Sequence, residues 1–234
     1  MAVAAPVPTT PSALVASWHE SDRSLRTAIA AWDKRKPPPA NVTGPTQYEQ
    51  RVIRLLARRP SLAREVERQL PAVTSDVVAR VELNRLAAKS PPPQTPPNLG
   101  PPAAAASLLA WYREGGRRFR VRWQLLAGVN FVESAFGRVR NASSAGAQGP
   151  MQFLPATWQR YGLGGDIHDP HDSILGAANY LAANGARRDE RAALYHYNPS
   201  ALYVDAVIRY ANRMAHSATA FFEYYSWRVY FRRR

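Results

Sequence analysis

The chain of 234 residues contains no cysteine. It can therefore form no disulfide framework, no thiolate metal site and no cysteine nucleophile. The absence is compatible with export and with the cytosol, so it leaves the compartment open.

Long apolar runs are also missing from the sequence. No stretch approaches the ~18 consecutive apolar residues of a transmembrane helix. The start, Met1 to Pro11, has neither a basic region nor an apolar region of usable length, so we expect no recognisable signal peptide in the chain as printed. Three explanations stay open: the true start lies upstream, the signal has been removed, or export is unconventional.

Acidic residues are scarce, with 17 Asp and Glu against 31 Lys and Arg, which gives a net charge of +14. Such a balance favours polyanionic partners, among them nucleic acid, anionic cell-wall polymers and a membrane surface. The alternative is that most arginines form a solvated surface. Because the chain has neither zinc-finger spacing nor an RNA-binding aromatic motif, we predict no specific nucleic-acid partner.

Three common catalytic motifs are absent. The sequence has no Gly-x-Ser-x-Gly elbow, no Gly-x-x-x-x-Gly-Lys phosphate loop and no His-Glu-x-x-His pair. Serine hydrolases, nucleotide-binding enzymes and zinc proteases built on those motifs therefore find no support.

What the sequence does contain is proline: its 20 prolines are unevenly placed, and ten of them form two breaks. Runs at 37–39 and 91–102 favour extended, semi-rigid spacers. They predict five segments: an N-terminal arm (1–45), a helical extension (46–90), a linker (91–102), a C-terminal domain (103–216) and an aromatic, basic end segment (217–234).

Helical periodicity dominates between these breaks, and it predicts a mostly α fold. Thr46 to Glu49 fits a capping box, and Ser61 and Ser75 are candidate N-caps for later helices. Further helices are expected near Trp123 and over three later stretches, which are 172–183, 190–197 and 203–215.

The end segment has a different pattern. Tyr225, Trp227, Val229 and Phe231 alternate with polar residues and Tyr230, which predicts a short strand. We expect it to pack on the domain, and an aromatic and basic patch on a membrane is the alternative.

One glutamate ends an apolar helix. Glu133 follows Leu125 to Val132, and helical spacing places it on the face of Leu126 and Val129. A carboxyl facing apolar packing is poorly solvated, so its pKa rises and it stays a usable proton donor near neutral pH. Alone, the pattern is a weak signal, because a glutamate at a helix end is usually just exposed.

A glycine-rich segment follows closely. Glu133-Ser134 is followed by Gly146 to Pro155, which reads Gly-Ala-Gln-Gly-Pro-Met-Gln-Phe-Leu-Pro, and then by Tyr197-Asn198. These three motifs resemble those of the lytic transglycosylases with the goose-type lysozyme-like fold. The stretches from Asp169 to Ile174 and from Tyr197 to Ser200 look most like the membrane-bound lytic transglycosylase B branch.

The resemblance covers about half the chain and implies a lysozyme-like domain, a cell-envelope location and peptidoglycan glycan strands as the substrate. It implies that Glu133 is the single acid and base, and that no cofactor is needed. Sugar-site residues carried over by position are Ser134, Ser144, Met151, Gln152, Tyr197 and Asn198. For Ser134 the alternative is a cap or turn, and for Met151 it is core packing.

The implied reaction uses one carboxylate where most glycosidases use two. The muramic 6-hydroxyl closes onto C1 and forms a 1,6-anhydro ring without water. A hydrolytic muramidase and a non-catalytic wall-binding module remain the alternatives.

A calcium loop found in relatives of the B branch is reduced here to residues 162–168. This segment offers one carboxylate before Asp169, whereas calcium takes 6–8 oxygen ligands, so we predict no metal. His168 and His171 flank two aspartates but straddle a proline in a loop.

Overall fold

The computed structural model describes residues 6–89 and 96–231. Within these ranges the chain forms eleven α-helices and one 3-10 turn, and no sheet. Two isolated bridges, Leu99 with Val139 and Gln148 with Phe153, are the β contacts found there. None of the described helices is long and apolar enough to cross a membrane. The predicted mostly α fold is confirmed.

The elements follow one another in this order: α1 (Pro11–Ala31), α2 (Ala40–Leu56), α3 (Pro60–Gln69), a 3-10 turn (Pro71–Val73), α4 (Thr74–Ala88), α5 (Ala105–Phe119), α6 (Trp123–Ser134), α7 (Pro155–Tyr161), α8 (Pro170–Ala183), α9 (Glu190–Tyr197), α10 (Ala201–His216) and α11 (Ala220–Tyr225).

Prolines begin four of the helices. Pro11, Pro60, Pro155 and Pro170 each stand at the first helical position. Proline suits that position because its φ is already helical and its missing N–H has no partner there anyway. Proline in this chain therefore positions helices as well as interrupting them.

The predicted helix starts in the first half are wrong by several residues. The N-terminal arm forms α1, and α2 begins at Ala40. Thr46 is a buried residue inside α2, and its hydroxyl donates to the carbonyl of Val42 at 2.9 Å. Ser61 and Ser75 lie in the first turns of α3 and α4 rather than at their N-caps. Of these three helices only α3 begins with a proline, and the N-caps Pro39, Arg59 and Val73 make no side-chain capping hydrogen bond.

The second half follows the sequence closely. Helix α6 begins at Trp123 and α9 covers Glu190–Tyr197, both as predicted. Helix α10 packs against α4 and α6, and α5 packs against α8. One continuous apolar core runs through all of these helices, so the N-terminal extension and the C-terminal domain share buried surface.

The linker is only partly described. Pro91 to Pro93 lie outside the described residues. Beyond them the chain is held by backbone hydrogen bonds, from the Gly100 N–H to the Arg138 carbonyl at 3.0 Å and from the Arg140 N–H to the Asn98 carbonyl at 2.9 Å. This part is pinned to the domain and is not a free spacer.

The predicted C-terminal strand is wrong. Phe221, Tyr224 and Tyr225 recur at helical spacing and are all buried, so this stretch forms α11. Residues 227–231 have no regular secondary structure and pair with no strand. The Gln50 side chain replaces one, donating to the Arg228 carbonyl at 2.8 Å and accepting from its N–H at 2.9 Å. Packing on the domain, the preferred alternative, is confirmed by the burial of Trp227.

Candidate active site

Helix α6 carries Glu133 at its C-terminal end. Leu125 to Asn130 are fully or almost fully buried, and they fix the helix in the core. Glu133 itself is only partly exposed. Burial raises the pKa of its carboxyl to about 7, and a nearby hydroxyl, that of Tyr203, partly counteracts the increase. The carboxyl is thus a proton donor and a proton acceptor near neutral pH.

Tyr203 is the partner that the sequence did not single out. It lies in the first turn of α10, and its buried hydroxyl makes no hydrogen bond of ordinary geometry. The hydroxyl is nevertheless close enough to the Glu133 carboxyl to stabilise its charged form. Burial and the charge of Glu133 together hold the pKa of Tyr203 well above its usual value. The one feature of the sequence that could have pointed to Tyr203 is its position shortly after the Tyr197-Asn198 motif.

The turn after α6 is strained. Ala135, Phe136 and Gly137 all have left-handed backbone conformations, with φ of 52°, 65° and 81°. For residues other than glycine this conformation costs roughly 1–2 kcal/mol each. The Ser134 hydroxyl accepts the Gly137 N–H at 2.8 Å, and Phe136 stacks on Phe131 with a centroid separation of 5.3 Å. These contacts hold the turn that ends the helix directly after Glu133.

Ser134 connects α6 to the glycine-rich loop. Its hydroxyl donates to the Pro150 carbonyl at 2.5 Å, and the Asn130 amide donates to the same carbonyl at 2.7 Å. The Tyr112 hydroxyl in turn donates to the Asn130 side chain. Ser134 is buried at 1% exposure and holds the loop, which favours its alternative as a turn residue. Its contact with a sugar stays a prediction.

The loop itself depends on Gly149. Its φ is +75°, and a Cβ there would lie 1.9 Å from the backbone oxygen of Ile167. Only glycine allows this close approach. Next to it, Met151 is fully buried, so its side chain belongs to the core and its expected role as a sugar contact is corrected. The Met151 carbonyl accepts the Tyr197 hydroxyl at 2.6 Å.

Two further predicted site residues lie on this loop outside the cleft that Glu133 lines. Gln152 has a left-handed backbone, and its amide donates to the Gly149 carbonyl at 3.0 Å. Ser144 is exposed beside a turn closed by the Ser143 hydroxyl. Gln152 therefore shapes the loop and Ser144 lies at its surface, and neither lines the cleft that contains Glu133.

Glu133 opens into a cleft of about 810 Å³. On its side of the cleft lie Val132, Asn198 and Tyr203. Tyr197 lies behind them, and its pKa is raised well above its usual value by burial and by the charge of Glu133. The structure thus brings Tyr197 and Asn198 to the predicted glutamate. The opposite side is formed by α2, α4 and the chain end, with these residues: Arg54, Arg58, Arg80, Leu83, Asn84, Leu86, Ala87, Ala88, Tyr230 and Phe231.

No second carboxylate lines this cleft among the described residues. The aspartates downstream serve backbone groups. Asp169 is the N-cap of α8 and accepts the N–H groups of His171 and Asp172. Asp172 accepts the Asp166 N–H at 2.9 Å. Across residues 6–89 and 96–231, no group of three or more His, Asp or Glu side chains is placed to hold a metal ion.

An ion pair joins the start of α6, the helix that carries Glu133, to the start of α9, the helix that carries Tyr197. Arg122, directly before α6, holds Glu190 at the start of α9 through two hydrogen bonds of 2.6 and 2.5 Å. This bidentate pair sets the position of α9, whose end carries Tyr197.

Comparison with known families adds one match. Residues 111–219 match the family model described as the transglycosylase SLT domain. The match supports the lytic transglycosylase family and indicates lytic transglycosylase activity with peptidoglycan as the substrate. No curated protein and no solved structure matches the chain.

Proposed function

We propose that this chain cleaves the β-1,4 bond between N-acetylmuramic acid and N-acetylglucosamine without water, with Glu133 as both acid and base. One observation carries the proposal: among the described residues that line the cleft there is a single carboxylate, and burial raises its pKa to about 7. An inverting or retaining hydrolase of the usual kind needs two.

The reaction then proceeds in two steps. Protonated Glu133 gives its proton to the glycosidic oxygen, and the C1–O bond of the muramic residue breaks. The N-acetyl group stabilises the positive charge on C1. The Glu133 carboxylate next takes the proton of the muramic 6-hydroxyl, whose oxygen bonds to C1. The enzyme is returned to its starting protonation state, and no water is consumed.

The neighbours of Glu133 have distinct parts in this proposal. Tyr203 adjusts the acidity of the carboxyl, and Asn198 faces the substrate from the same side of the cleft. Ser134, Met151 and Tyr197 hold the loop through buried contacts. Membership of the membrane-bound B branch and action in the cell envelope belong to the same proposal. They are supported by the motifs from Asp169 to Ser200.

Glu133→Gln tests the assignment. The amide cannot donate the proton, so release of fragments from purified sacculi should fall by about a thousandfold or more. Glu20→Gln, an exposed glutamate on α1, is the matched control and should retain full activity. Wall clearing by Glu133→Gln at the wild-type rate would exclude Glu133 as the acid.

The mass of the products distinguishes the reaction types. Wild-type digests should contain anhydro ends, which are lighter by one water than hydrolysed ends. Products that carry the added water would make the protein a muramidase. Wall binding with no cleavage by wild type would make the domain a non-catalytic binding module.

A further inference from the structure

The cleft wall opposite Glu133 is strongly basic. It carries Arg54 near the end of α2, Arg58 just beyond that helix and Arg80 in α4. None of the ion pairs formed among the described residues involves any of the three. Three cations therefore line one cleft, and none of them forms an ion pair with a carboxylate among the described residues.

This arrangement differs from an ordinary solvated arginine surface. Arg54 and Arg80 are partly buried, and Arg54 lies 3.9 Å from the centre of the Tyr230 ring. Burial, together with the charges of Arg80 and Arg58, lowers the pKa of Arg54 to about 10. Burial also lowers the pKa of Arg80. Gathering like charges in a partly desolvated cleft costs free energy, and an anion bound there would offset it.

We propose that Arg54, Arg58 and Arg80 bind the stem-peptide carboxylates of the glycan strand being cut. The inference rests on the proposed function, because the cluster shares its cleft with Glu133. The bound anion must then be attached to the strand whose glycosidic bond reaches that residue. Planar guanidinium groups match carboxylates through paired hydrogen bonds. Phosphate on a wall polymer offers the same oxygen chemistry, and the test separates the two sources.

The proposal also gives the N-terminal extension a function. The arginines come from α2, from the turn after it and from α4, and the acid comes from α6. The extension would thus supply the substrate-binding wall, while the matched family domain supplies the chemistry.

The experiment compares native strands with strands whose peptide carboxylates have been converted to amides by carbodiimide and ammonia. For wild type we expect amidation to raise KM about tenfold, because charge-assisted hydrogen bonds are lost. The Arg58→Gln and Arg80→Gln double variant should show the raised KM already on native strands. Amidation should change its KM no further, and its kcat should stay within about twofold of wild type.

A matched control removes two charges elsewhere. Arg68→Gln with Arg85→Gln alters exposed residues on α3 and α4 that do not line the cleft, and it should respond to amidation as wild type does. The conservative Arg58→Lys and Arg80→Lys pair should recover part of the affinity. Thermal unfolding of every variant identifies loss through misfolding.

Three outcomes would overturn the proposal. They are a wild-type KM that amidation does not change, a double variant that responds to amidation like wild type, and a preference for native strands that disappears only when phosphate polymers are stripped from the wall.

Binding is also measured in the Glu133→Gln background with soluble, uncrosslinked strands. Suppose that the Glu133→Gln variant binds strands only when their carboxylates are intact, and that wild type does not cleave them. The proposed reaction would then be wrong, and the arginine site would still be supported.

Discussion

Glu133 is a carboxyl group whose protonation is set by its surroundings. In water a glutamate is almost fully ionised at neutral pH, but burial at the end of α6 raises its pKa to about 7. Near that pH both the acid and the base forms are populated, which a single group serving both steps requires. The Tyr203 hydroxyl acts against the effect of burial: it lowers the pKa of Glu133 and so sets the proportion of the acid and base forms.

This environment predicts the pH dependence of activity. The free enzyme needs protonated Glu133, so kcat/KM should fall as the pH rises through about 7. Tyr203→Phe removes the hydroxyl that stabilises the carboxylate, so the pKa of Glu133 should rise and the falling limb should move to higher pH. The measurement is a pH profile of kcat/KM on soluble strands.

The control for this shift is Tyr195→Phe, an exposed tyrosine on α9. It should leave the profile unchanged. If the limb stays in place or moves to lower pH in Tyr203→Phe, Tyr203 does not adjust the acid.

At the scale of elements, the site depends on the junction of α6 with the glycine-rich loop. The buried Pro150 carbonyl accepts from both Ser134 and Asn130, so one loop position is fixed by two α6 side chains. The motif predicted that the loop and the glutamate would lie together. It did not predict that Ser134 and Met151 would be buried, because burial depends on neighbours that are distant in the sequence.

Gly149→Ala tests this junction. A Cβ at φ +75° would meet the Ile167 backbone oxygen at 1.9 Å, and a backbone oxygen cannot rotate away as a side chain can. We expect a loss of about 2 kcal/mol or more in the free energy of unfolding and a marked loss of activity. Urea denaturation and sacculus digestion measure the two effects.

Gly146→Ala is the matched control. Gly146 has φ +81° but nothing within 4 Å of the added Cβ. It should cost only about 1 kcal/mol of backbone strain. Equal losses for both variants would mean that the contact with Ile167 does not shape the loop.

At the scale of the whole molecule, a buried charge network joins the N-terminal extension to the rest of the fold. Asp76 of α4 forms an ion pair of 3.2 Å with Arg213 of α10, and it accepts the hydroxyl of Tyr224 from α11. Arg213 also pairs with Glu223. Burial raises the pKa of Asp76 to about 6, although Arg213 and Tyr224 act in the opposite direction.

Arg213→Met should therefore destabilise the entire protein. It leaves Asp76 and Glu223 buried without their cation, which costs about 3–5 kcal/mol at pH 7. The loss should shrink as the pH falls towards about 6, because without Arg213 the pKa of Asp76 is higher and the variant protonates this buried carboxyl before wild type does. Denaturant unfolding at several pH values measures it.

Arg191→Met is the control, since Arg191 and Asp205 form an exposed pair on the surface. Its cost should be below about 1 kcal/mol and should vary little with pH. A similar small cost for Arg213→Met would show that the network does not hold the extension in place.

The sequence by itself determined the mostly α fold, the bounds of α6 and α9 and the grouping of Glu133 with its loop. Those features rest on short-range patterns: apolar periodicity, glycine spacing and motif order. It misplaced the starts of α2 to α4, because a Ser or Thr that fits an N-cap can equally lie inside the helix, as Thr46, Ser61 and Ser75 do.

Tertiary structure alone decided the rest. The first part of the end segment forms α11 because its aromatic residues have a buried face, and Gln50 pairs with the backbone of Arg228 beyond it, where a strand partner was expected. Tyr203 came to Glu133, and the arginines of α2 and α4 came to face it, through helix packing across distant parts of the chain. Burial and charge pairing are properties of such contacts, so no local pattern encodes them.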